Sequence, residues 1–269
     1  MVLLPACAGP ANPVHDNLTQ GGISSQQGKS AAATAENNSA AAIVPSLGVG
    51  TAQILRAEDY DRVVAAGTAA LAAAPDDDNL QEKLADAYID RAWYYKTKRL
   101  NTYASADLFK AIEIAPGYYR AHYELGRFHN NQWQFGIGIF DLNKALSLKA
   151  DFAPAYSERA YSNYKNQKYD EALADANKSI ELDSTIARFY CTRSLIYVAT
   201  AKPDLALQDA DKAVQIAPAD AFSYYNRSLV YTAAGKPDLA IADLETTLKL
   251  SRDDLLTARA NADLQKLRK

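Results

Sequence analysis

The chain has 269 residues, of which 48% are hydrophobic and 23% charged, with a formal net charge of −3. This charge balance excludes the basic footprint typical of nucleic-acid binding proteins. The sequence contains no apolar run near 20 residues, so it predicts no membrane-spanning helix.

The first 48 residues are predicted to form a flexible tether. Asp16, Lys29 and Glu36 are their only charged residues, and Ala, Ser, Gly, Gln, Asn and Pro make up most of the rest. Such a composition buries too little apolar surface to offset the loss of chain entropy on folding. Residues 1–48 are therefore expected to link the folded part to something else.

The segment Leu3-Leu4-Pro5-Ala6-Cys7 resembles the end of a bacterial lipoprotein signal, in which Leu and a small residue precede a lipid-modified Cys. The resemblance implies lipid attachment at Cys7 and a tethered domain in the cell envelope. Only six residues precede Cys7, without a basic stretch or a full apolar stretch, and Pro5 is unusual at its position. A chance cysteine on a tail, in a cytoplasmic protein, is the alternative.

A period of 34 residues dominates the rest of the chain. Tyr-Xaa-Xaa-Arg recurs at Tyr156, Tyr190 and Tyr224, and alanines recur at the same interval at Ala172 and its two equivalents. A strict period of this length indicates a solenoid, in which each unit buries its apolar face only by stacking on its neighbours.

The spacing of Tyr156, Ala160 and Ala172, counted from Ala153, resembles the tetratricopeptide repeat, in which helix A and helix B form an antiparallel pair. The resemblance implies an all-α, right-handed α-solenoid that binds proteins without catalysis. The solenoid is expected over residues 49–269, and its parts in chain order are a partial repeat 49–77, a long repeat 78–118, repeats 119–152, 153–186, 187–220 and 221–252, and a C-terminal capping helix 253–269.

The long repeat exceeds the period by seven residues, which is close to two helical turns. An insertion of this length keeps the buried stripe of helix A in phase, and we expect it at Arg91 to Thr97. Trp93, Tyr94 and Tyr95 would then lie beyond the reach of a neighbouring repeat. Exposed Trp93 and Tyr94 are candidate binding residues, unless the partial first repeat folds over them.

Two polar series share the period, and both are predicted to hold the repeats together. An Arg inside a helix pair needs an anionic partner, which could lie in its own repeat or across the junction to the preceding one. The series comprise Arg159, Arg193 and Arg227, and Asp141, Asp175, Asp209 and Asp243.

The concave face of the repeat family is lined by positions 2, 5, 9 and 12 of helix A, which share one face. Carried onto this chain, these positions predict a Tyr-rich, Arg-bearing groove for an extended segment with apolar and acidic side chains. The candidate binding residues in this groove are Arg120, Tyr123, Arg127, Tyr161, Tyr164, Arg188, Phe222 and Tyr225.

No catalytic constellation stands out, so the chain is predicted to be a non-enzymatic adaptor without a cofactor. His122 and His129 are seven residues apart on one helix but occupy packing positions, and no third metal ligand is near in sequence. Cys191 lacks a neighbouring His that could activate it. A protein or peptide partner is expected, no nucleic acid, and membrane contact only through Cys7. A self-associating cytoplasmic scaffold and an accessory subunit of an enzyme complex are the alternatives.

Overall fold

The computed structural model describes residues 56–268, which contain twelve α-helices and no β-strand. The tether and Cys7 lie outside the described residues. The helices are α1 (Ala57–Ala73), α2 (Asp78–Thr97), α3 (Asn101–Ile114), α4 (Tyr119–Asn131), α5 (Phe135–Leu148), α6 (Ala153–Lys165), α7 (Tyr169–Leu182), α8 (Ala187–Ala199), α9 (Pro203–Ile216), α10 (Ala221–Ala233), α11 (Pro237–Leu250) and α12 (Asp254–Leu267).

The chain divides into two compact units, with the boundary between Glu124 and Leu125 inside α4. In the first unit α2 packs on both α1 and α3. In the second unit α6 packs on α7, α8 on α9 and α10 on α11, and each pair packs on the next. This arrangement is a series of A–B helix hairpins, as the 34-residue period predicts.

Small residues at two repeat positions allow the paired helices to approach closely. Ala160 on α6 and Ala172 on α7 are completely buried, as are Ala206 and Ala240 on later B helices. In the α4–α5 pair both positions are glycine. A Cβ on Gly138 would lie 3.0 Å from the Gly126 carbonyl oxygen, so these backbones approach more closely than alanine permits.

The turns between helices A and B share a left-handed residue that repeats with the period. Arg99, Trp133, Gln167, Ala201 and Gly235 have φ between 55° and 68°. This conformation reverses the chain between the two helices but is unfavourable for a residue with a Cβ. Gly235 adopts it without that cost.

The insertion in the long repeat is placed differently from the expectation at Arg91 to Thr97. Helix α2 has 20 residues, whereas α6, α8 and α10 each have 13. Arg91 binds Asp107 sixteen residues away, as Arg159 binds Asp175, and α2 ends six residues after Arg91, as α6 ends six after Arg159. The extra two turns are therefore residues 78–84.

The end of helix α1, after the residue that binds Arg91, is extended by the same seven residues as the start of α2, although α1 as a whole has 17 residues against 14 in α5. Arg91 binds Asp61 thirty residues upstream, whereas Arg159 binds Asn143 sixteen residues upstream. The chain between the arginine and its upstream partner is therefore fourteen residues longer here, seven at the end of α1 and seven at the start of α2. Gly67 allows this extension to pack tightly, because a Cβ there would lie 2.9 Å from Leu84 Cδ1.

The capping helix α12 closes the second unit. Leu256, Ala260 and Leu264 repeat every four residues and form its buried face. They pack in one cluster with Leu229 and Leu244 of the last full repeat. Asp253 caps its first turn by accepting a hydrogen bond from the Leu256 backbone N–H at 2.6 Å.

Candidate functional site

The Arg and Asp series form bidentate ion pairs within each repeat. Arg159 Nε and Nη2 donate to the two carboxylate oxygens of Asp175 at 2.8 and 2.7 Å. Arg193 binds Asp209, and Arg227 binds Asp243, in the same geometry. Two parallel N–H···O bonds make these the strongest kind of charge-assisted contact.

The third guanidinium nitrogen of each Arg reaches across the junction to the preceding B helix. Arg159 Nη1 donates to Asn143 Oδ1 at 2.7 Å, and Arg193 Nη1 donates to Asn177 Oδ1 at 2.8 Å. Arg227 Nη1 reaches Asp211 Oδ1 at 2.8 Å. Each arginine thus binds the Asp of its own repeat and also a polar residue of the preceding repeat. The sequence left open which of these two repeats supplies the partner, and both do.

Arg91 is a fourth member of the series that the sequence reasoning missed. Its Nε and Nη2 donate to Asp107 at 2.8 Å, and its Nη1 donates to Asp61 at 2.8 Å. The sixteen-residue spacing from Arg91 to Asp107 was the available signal. It was missed because the insertion was expected to begin at Arg91.

Asp141 is the acid whose repeat carries Leu125 at the position of the arginine series. His129 Nδ1 lies 2.6 Å from Asp141 Oδ2 instead. His122 Nε2 contacts the Pro116 carbonyl oxygen at 3.0 Å. The two histidines therefore have separate packing partners, and within residues 56–268 no group of three or more metal-ligating side chains is found.

The arginine series is structural. The Arg193 side chain is 20% exposed and the Asp209 side chain 8%. Its guanidinium also lies 5.8 Å from the ring centre of Tyr190 and 5.7 Å from that of Tyr197. Hydrogen bonding to Asp209 raises the Arg193 pKa above its ordinary value. Each of its three nitrogens donates a hydrogen bond within the fold, which favours a structural role for the series.

The predicted groove residues divide into buried and accessible groups. Tyr123, Arg127, Tyr161 and Tyr225 are each at most 8% exposed, so they are packing residues here. Tyr161 packs edge-on against Phe135, with ring centres 6.0 Å apart. Their assignment as accessible binding residues is not supported by this burial.

Tyr225 shows the physical reason most directly. Its ring is 1% exposed and packs in the cluster that contains Leu256 and Leu264 of α12. Its hydroxyl donates to Asp263 Oδ2 on the same helix at 3.0 Å. The capping helix occupies the space where a partner was expected.

Three predicted groove residues of the second unit are partly accessible. Arg188 lies over the Phe222 ring, 4.9 Å from its centre. Tyr164 is half-buried, and its ring centre is 6.3 Å from that of Tyr169. Arg188 and Phe222 form a small cationic and aromatic surface, separate in sequence from Tyr164.

In the first unit, Trp93 and Tyr94 occupy ordinary repeat positions and are half-buried. Trp93 Nε1 donates to Glu124 Oε2 at 2.8 Å. Tyr94 packs on Tyr60 of α1, with ring centres 5.1 Å apart. The partial first repeat thus packs on Tyr94, whereas Trp93 is bound to α4.

Carboxylates that the sequence reasoning did not select surround Trp93. Asp86, Asp90 and Glu124 lie near one another and near Arg120, and we call these four residues with Trp93 the α2–α4 cluster. Arg120 Nη1 and the Tyr118 hydroxyl both donate to Asp86 Oδ1, at 2.8 and 2.9 Å. Asp90 has no side-chain hydrogen bond or ion pair within the described chain.

The electrostatics of the α2–α4 cluster centre on Asp90. Burial raises the pKa of Asp90 from 3.8 to about 6; Arg120 lowers it, and Asp86 and Glu124 raise it further. Burial also raises the pKa of Asp86, against the opposing effect of Arg120. Asp90 therefore lies in a site that disfavours its charge, which makes it a candidate functional carboxylate.

Comparison with known proteins supports the repeat assignment. Residues 187–220 and 223–254 match the tetratricopeptide repeat family. No curated protein matches the sequence. None of the described helices combines the length and apolar character needed to cross a membrane.

Solved structures of repeat proteins show the same fold. TTC0263, a thermophilic TPR protein of Thermus thermophilus, is similar with a TM-score of 0.61 and 14% identity over 67% of this chain and 99% of that one. PilF of Pseudomonas aeruginosa has a TM-score of 0.55 and 17% identity, over 70% of this chain and 88% of that one. The APC/C hetero-tetramer Cut9–Hcn1 has a TM-score of 0.61 and 14% identity, over 79% of this chain and 40% of that one. Residues 187–254 thus resemble tetratricopeptide repeats in sequence, and the described residues have the all-helical fold of a TPR solenoid.

Proposed function

We propose that this chain is a non-enzymatic adaptor that binds an extended segment of a partner protein on its A-helix face, at the α2–α4 cluster. The observation that carries the proposal is Asp90, a mostly buried carboxylate without a hydrogen bond inside the described chain and with a pKa raised to about 6. An anion in such a site costs folding free energy unless a cation neutralises it. A partner can supply that cation.

The chemistry of the cluster favours a basic partner segment. Asp86 already has Arg120 as its counter-ion, so an added Lys or Arg side chain would be drawn to Asp90. The Trp93 ring already attracts Lys96, whose Nζ lies 5.0 Å from the ring centre, and a guanidinium can stack on such a ring. The acidic side chains expected from Arg120 alone are disfavoured, because Arg120 is already paired.

The fold is compatible with this role, since a row of stacked helix pairs presents an extended surface for recognition. The Cut9–Hcn1 hetero-tetramer, similar in fold only, is an assembly that contains such repeats. The arginine series stabilises the stack and leaves the irregular α2–α4 cluster available for binding.

Peptide display on the purified chain tests the proposal without knowledge of the partner. Enriched peptides should carry Lys or Arg, and Asp90→Asn should weaken the best of them by about tenfold or more, the equivalent of one good contact. Glu82→Gln is the matched control, because it removes one exposed carboxylate from the same helix. Enrichment of acidic peptides, or equal effects of both substitutions, would reject this binding site.

We further propose that the adaptor is held at a membrane in the cell envelope by a lipid on Cys7, at the far end of the tether. A lipid-anchored domain needs a linker to stand away from the bilayer. Expressed from its native locus, the protein should partition into detergent, and Cys7→Ser should move it to the aqueous phase. Equal partitioning of the two forms would leave the cytoplasmic alternative.

A self-associating scaffold is the second candidate function. It is favoured by large apolar side chains that remain exposed on the B helices, with Phe140 at 73% the most exposed of them. The two candidates use different helices of a repeat, A and B, so a single chain can have both.

A further inference from the structure

The outer face of α5 carries a ridge of exposed apolar side chains. Trp133, at the turn before α5, is 57% exposed, Ile137 is 51% and Phe140 is 73%. Steps of three and four residues align Ile137, Phe140 and Lys144 on one side of the helix, and Trp133 lies at the turn that precedes it. We call Trp133, Ile137 and Phe140 the α5 ridge.

The outer face of α5 differs in charge from those of the other B helices in its unit. Its one acid, Asp141, is buried against His129. By contrast α7, α9 and α11 each expose acids in their first turn, at Glu171, Asp204 and Asp238. The α5 ridge is thus an apolar surface without an acidic side chain of its own. Lys144 lies at one end of it, and at the other end Lys165 Nζ lies 5.3 Å from the Trp133 ring centre.

Gly136 adds an independent observation. It is exposed within α5, and a Cβ built on it would have nothing within 4 Å, so no internal packing within the described chain requires glycine there. Glycine weakens a helix relative to alanine. Helical spacing places Gly136, Asn143 and Ser147 in a strip of short side chains, the low strip, beside the ridge, and Asn143 also accepts the hydrogen bond from Arg159.

We propose that two copies of this chain associate through α5, with the ridge of each packed on the low strip of the other. This inference rests on the second candidate function and is independent of peptide binding at Asp90. A twofold axis near Phe140 would run the two helices antiparallel. Trp133 would then face the partner subunit's Ser147, and Ile137 would face the partner subunit's Asn143, so that each ridge meets short side chains of the other copy.

The available area suits a second copy. Three side chains of this size and exposure present about 350–400 Å² of apolar surface, which is within the range of functional patches. Burial of this surface on both copies, with a polar rim, gives a total of about 1,000–1,200 Å², the lower end of specific interfaces. The expected dimer is therefore reversible, at micromolar concentrations.

Sedimentation of the full chain over roughly 1–100 μM tests the interface. Ile137→Glu should weaken self-association by about tenfold or more, because it buries a charge in an apolar contact. Leu239→Glu is the matched control, since Leu239 occupies the equivalent position three repeats later and is 48% exposed. Equal effects of the two substitutions, or a wild-type chain that stays monomeric throughout, would overturn the proposal.

Gly136→Ala gives a second readout that poor folding cannot imitate. It should raise the melting temperature of the monomer by about 2–4 °C and weaken the dimer. A variant with both a higher melting temperature and tighter association, or with unchanged association, would contradict a close approach of the partner subunit to the backbone at Gly136.

Anionic lipid vesicles are the last arm of the test. If Ile137→Glu abolishes vesicle binding of a chain that is monomeric in solution, the ridge contacts membrane and the dimer is wrong. Unchanged peptide binding by Ile137→Glu separates this result from the adaptor proposal.

Discussion

Residues 153–250 and residues 56–124 use the same helix-pair packing with different electrostatics. The first stretch repeats one arrangement three times, in which an Arg joins an Asp of its own repeat to a polar residue of the preceding B helix. The second uses that arrangement once, at Arg91, and adds Asp90, whose charge nothing in the described chain neutralises fully. The Arg–Asp pairs that follow the period thus stabilise the packing of the repeats. Asp90, which has no counterpart in the series, weakens the fold.

The difference matters because similar residue types have opposite roles in the two stretches. Asp209 is bound through both carboxylate oxygens and stabilises the folded state. Asp90, also mostly buried, has a raised pKa and destabilises it at neutral pH. Burial alone therefore does not distinguish a structural carboxylate from a functional one. The number and geometry of the hydrogen bonds that the carboxylate accepts do distinguish the two.

The largest predicted effect concerns the regular stretch. Arg193→Met should lower the free energy of unfolding by about 1–4 kcal/mol, because it leaves Asp209 buried without its cation. Denaturant unfolding measures the loss. A double-mutant cycle should show coupling of Arg193 to Asp209 and none to Asp175, which binds Arg159. Coupling to Asp175 would mean that the ion pairs run between repeats.

Lys178→Met is the control for that experiment. Lys178 pairs with Glu181 at 2.6 Å, but both side chains are exposed, at 39% and 68%. Exposed pairs contribute about 0–1 kcal/mol. A loss as large as that of Arg193→Met would show that the measurement does not report the buried pairs.

The next effect tests the close packing of the glycine-bearing pair α4–α5. Gly138→Ala should destabilise the protein by about 1–3 kcal/mol, because its Cβ would overlap Asn130 Oδ1 and press on the Gly126 carbonyl. Gly136→Ala, two residues earlier, should stabilise it. Melting temperatures that shift in the same direction for both variants would refute the difference in packing between the two glycines.

The irregular stretch should show an unusual pH dependence. Between about pH 4 and pH 6 the folded protein keeps a proton on Asp90 that the unfolded chain has already lost, because the folded pKa is about 6 and the ordinary value 3.8. The contribution of Asp90 to stability therefore falls as the pH rises through this window, by about 1–3 kcal/mol. Asp90→Asn should remove that fall and stabilise the protein at pH 7.5. A steeper fall in the variant would contradict the assignment.

The smallest effect belongs to the turns. Ala201→Gly should stabilise the protein by about 0.5–1 kcal/mol, because Ala201 has φ of 55° and glycine adopts that conformation without strain. The gain is reduced by the greater entropy of glycine in the unfolded chain. Gly235→Ala should show the opposite sign, and thermal unfolding of both variants checks the pair.

The sequence predicted the repeated part of the fold well because the signal there is redundant. The period places helix pairs over residues 119–250, and Ala172 and its equivalents mark their contacts. The two extra turns could not be located from length alone, because seven residues keep a helix in phase wherever they are inserted. Arg91 and its partner Asp107 would have located them.

The candidate site was less predictable. Tyr225 shares a helix face with Phe222, but no sequence pattern shows that Tyr225 is buried against α12 while Phe222 stays partly accessible. Asp90 was missed because it occupies the position after the groove-lining one, and its significance arises from Asp86 and Glu124, which come near it only in three dimensions. Such long-range electrostatics leave no periodic signal.

The central claim is that Asp90 weakens the fold and strengthens binding. The most direct test is to measure, on the same Asp90→Asn preparation at pH 7.5, both the free energy of unfolding and the affinity for a Lys- or Arg-bearing peptide selected on the wild-type chain. The account predicts a more stable protein that binds at least about tenfold more weakly. A variant that binds as tightly as the wild type, or that loses stability and affinity together, would contradict it.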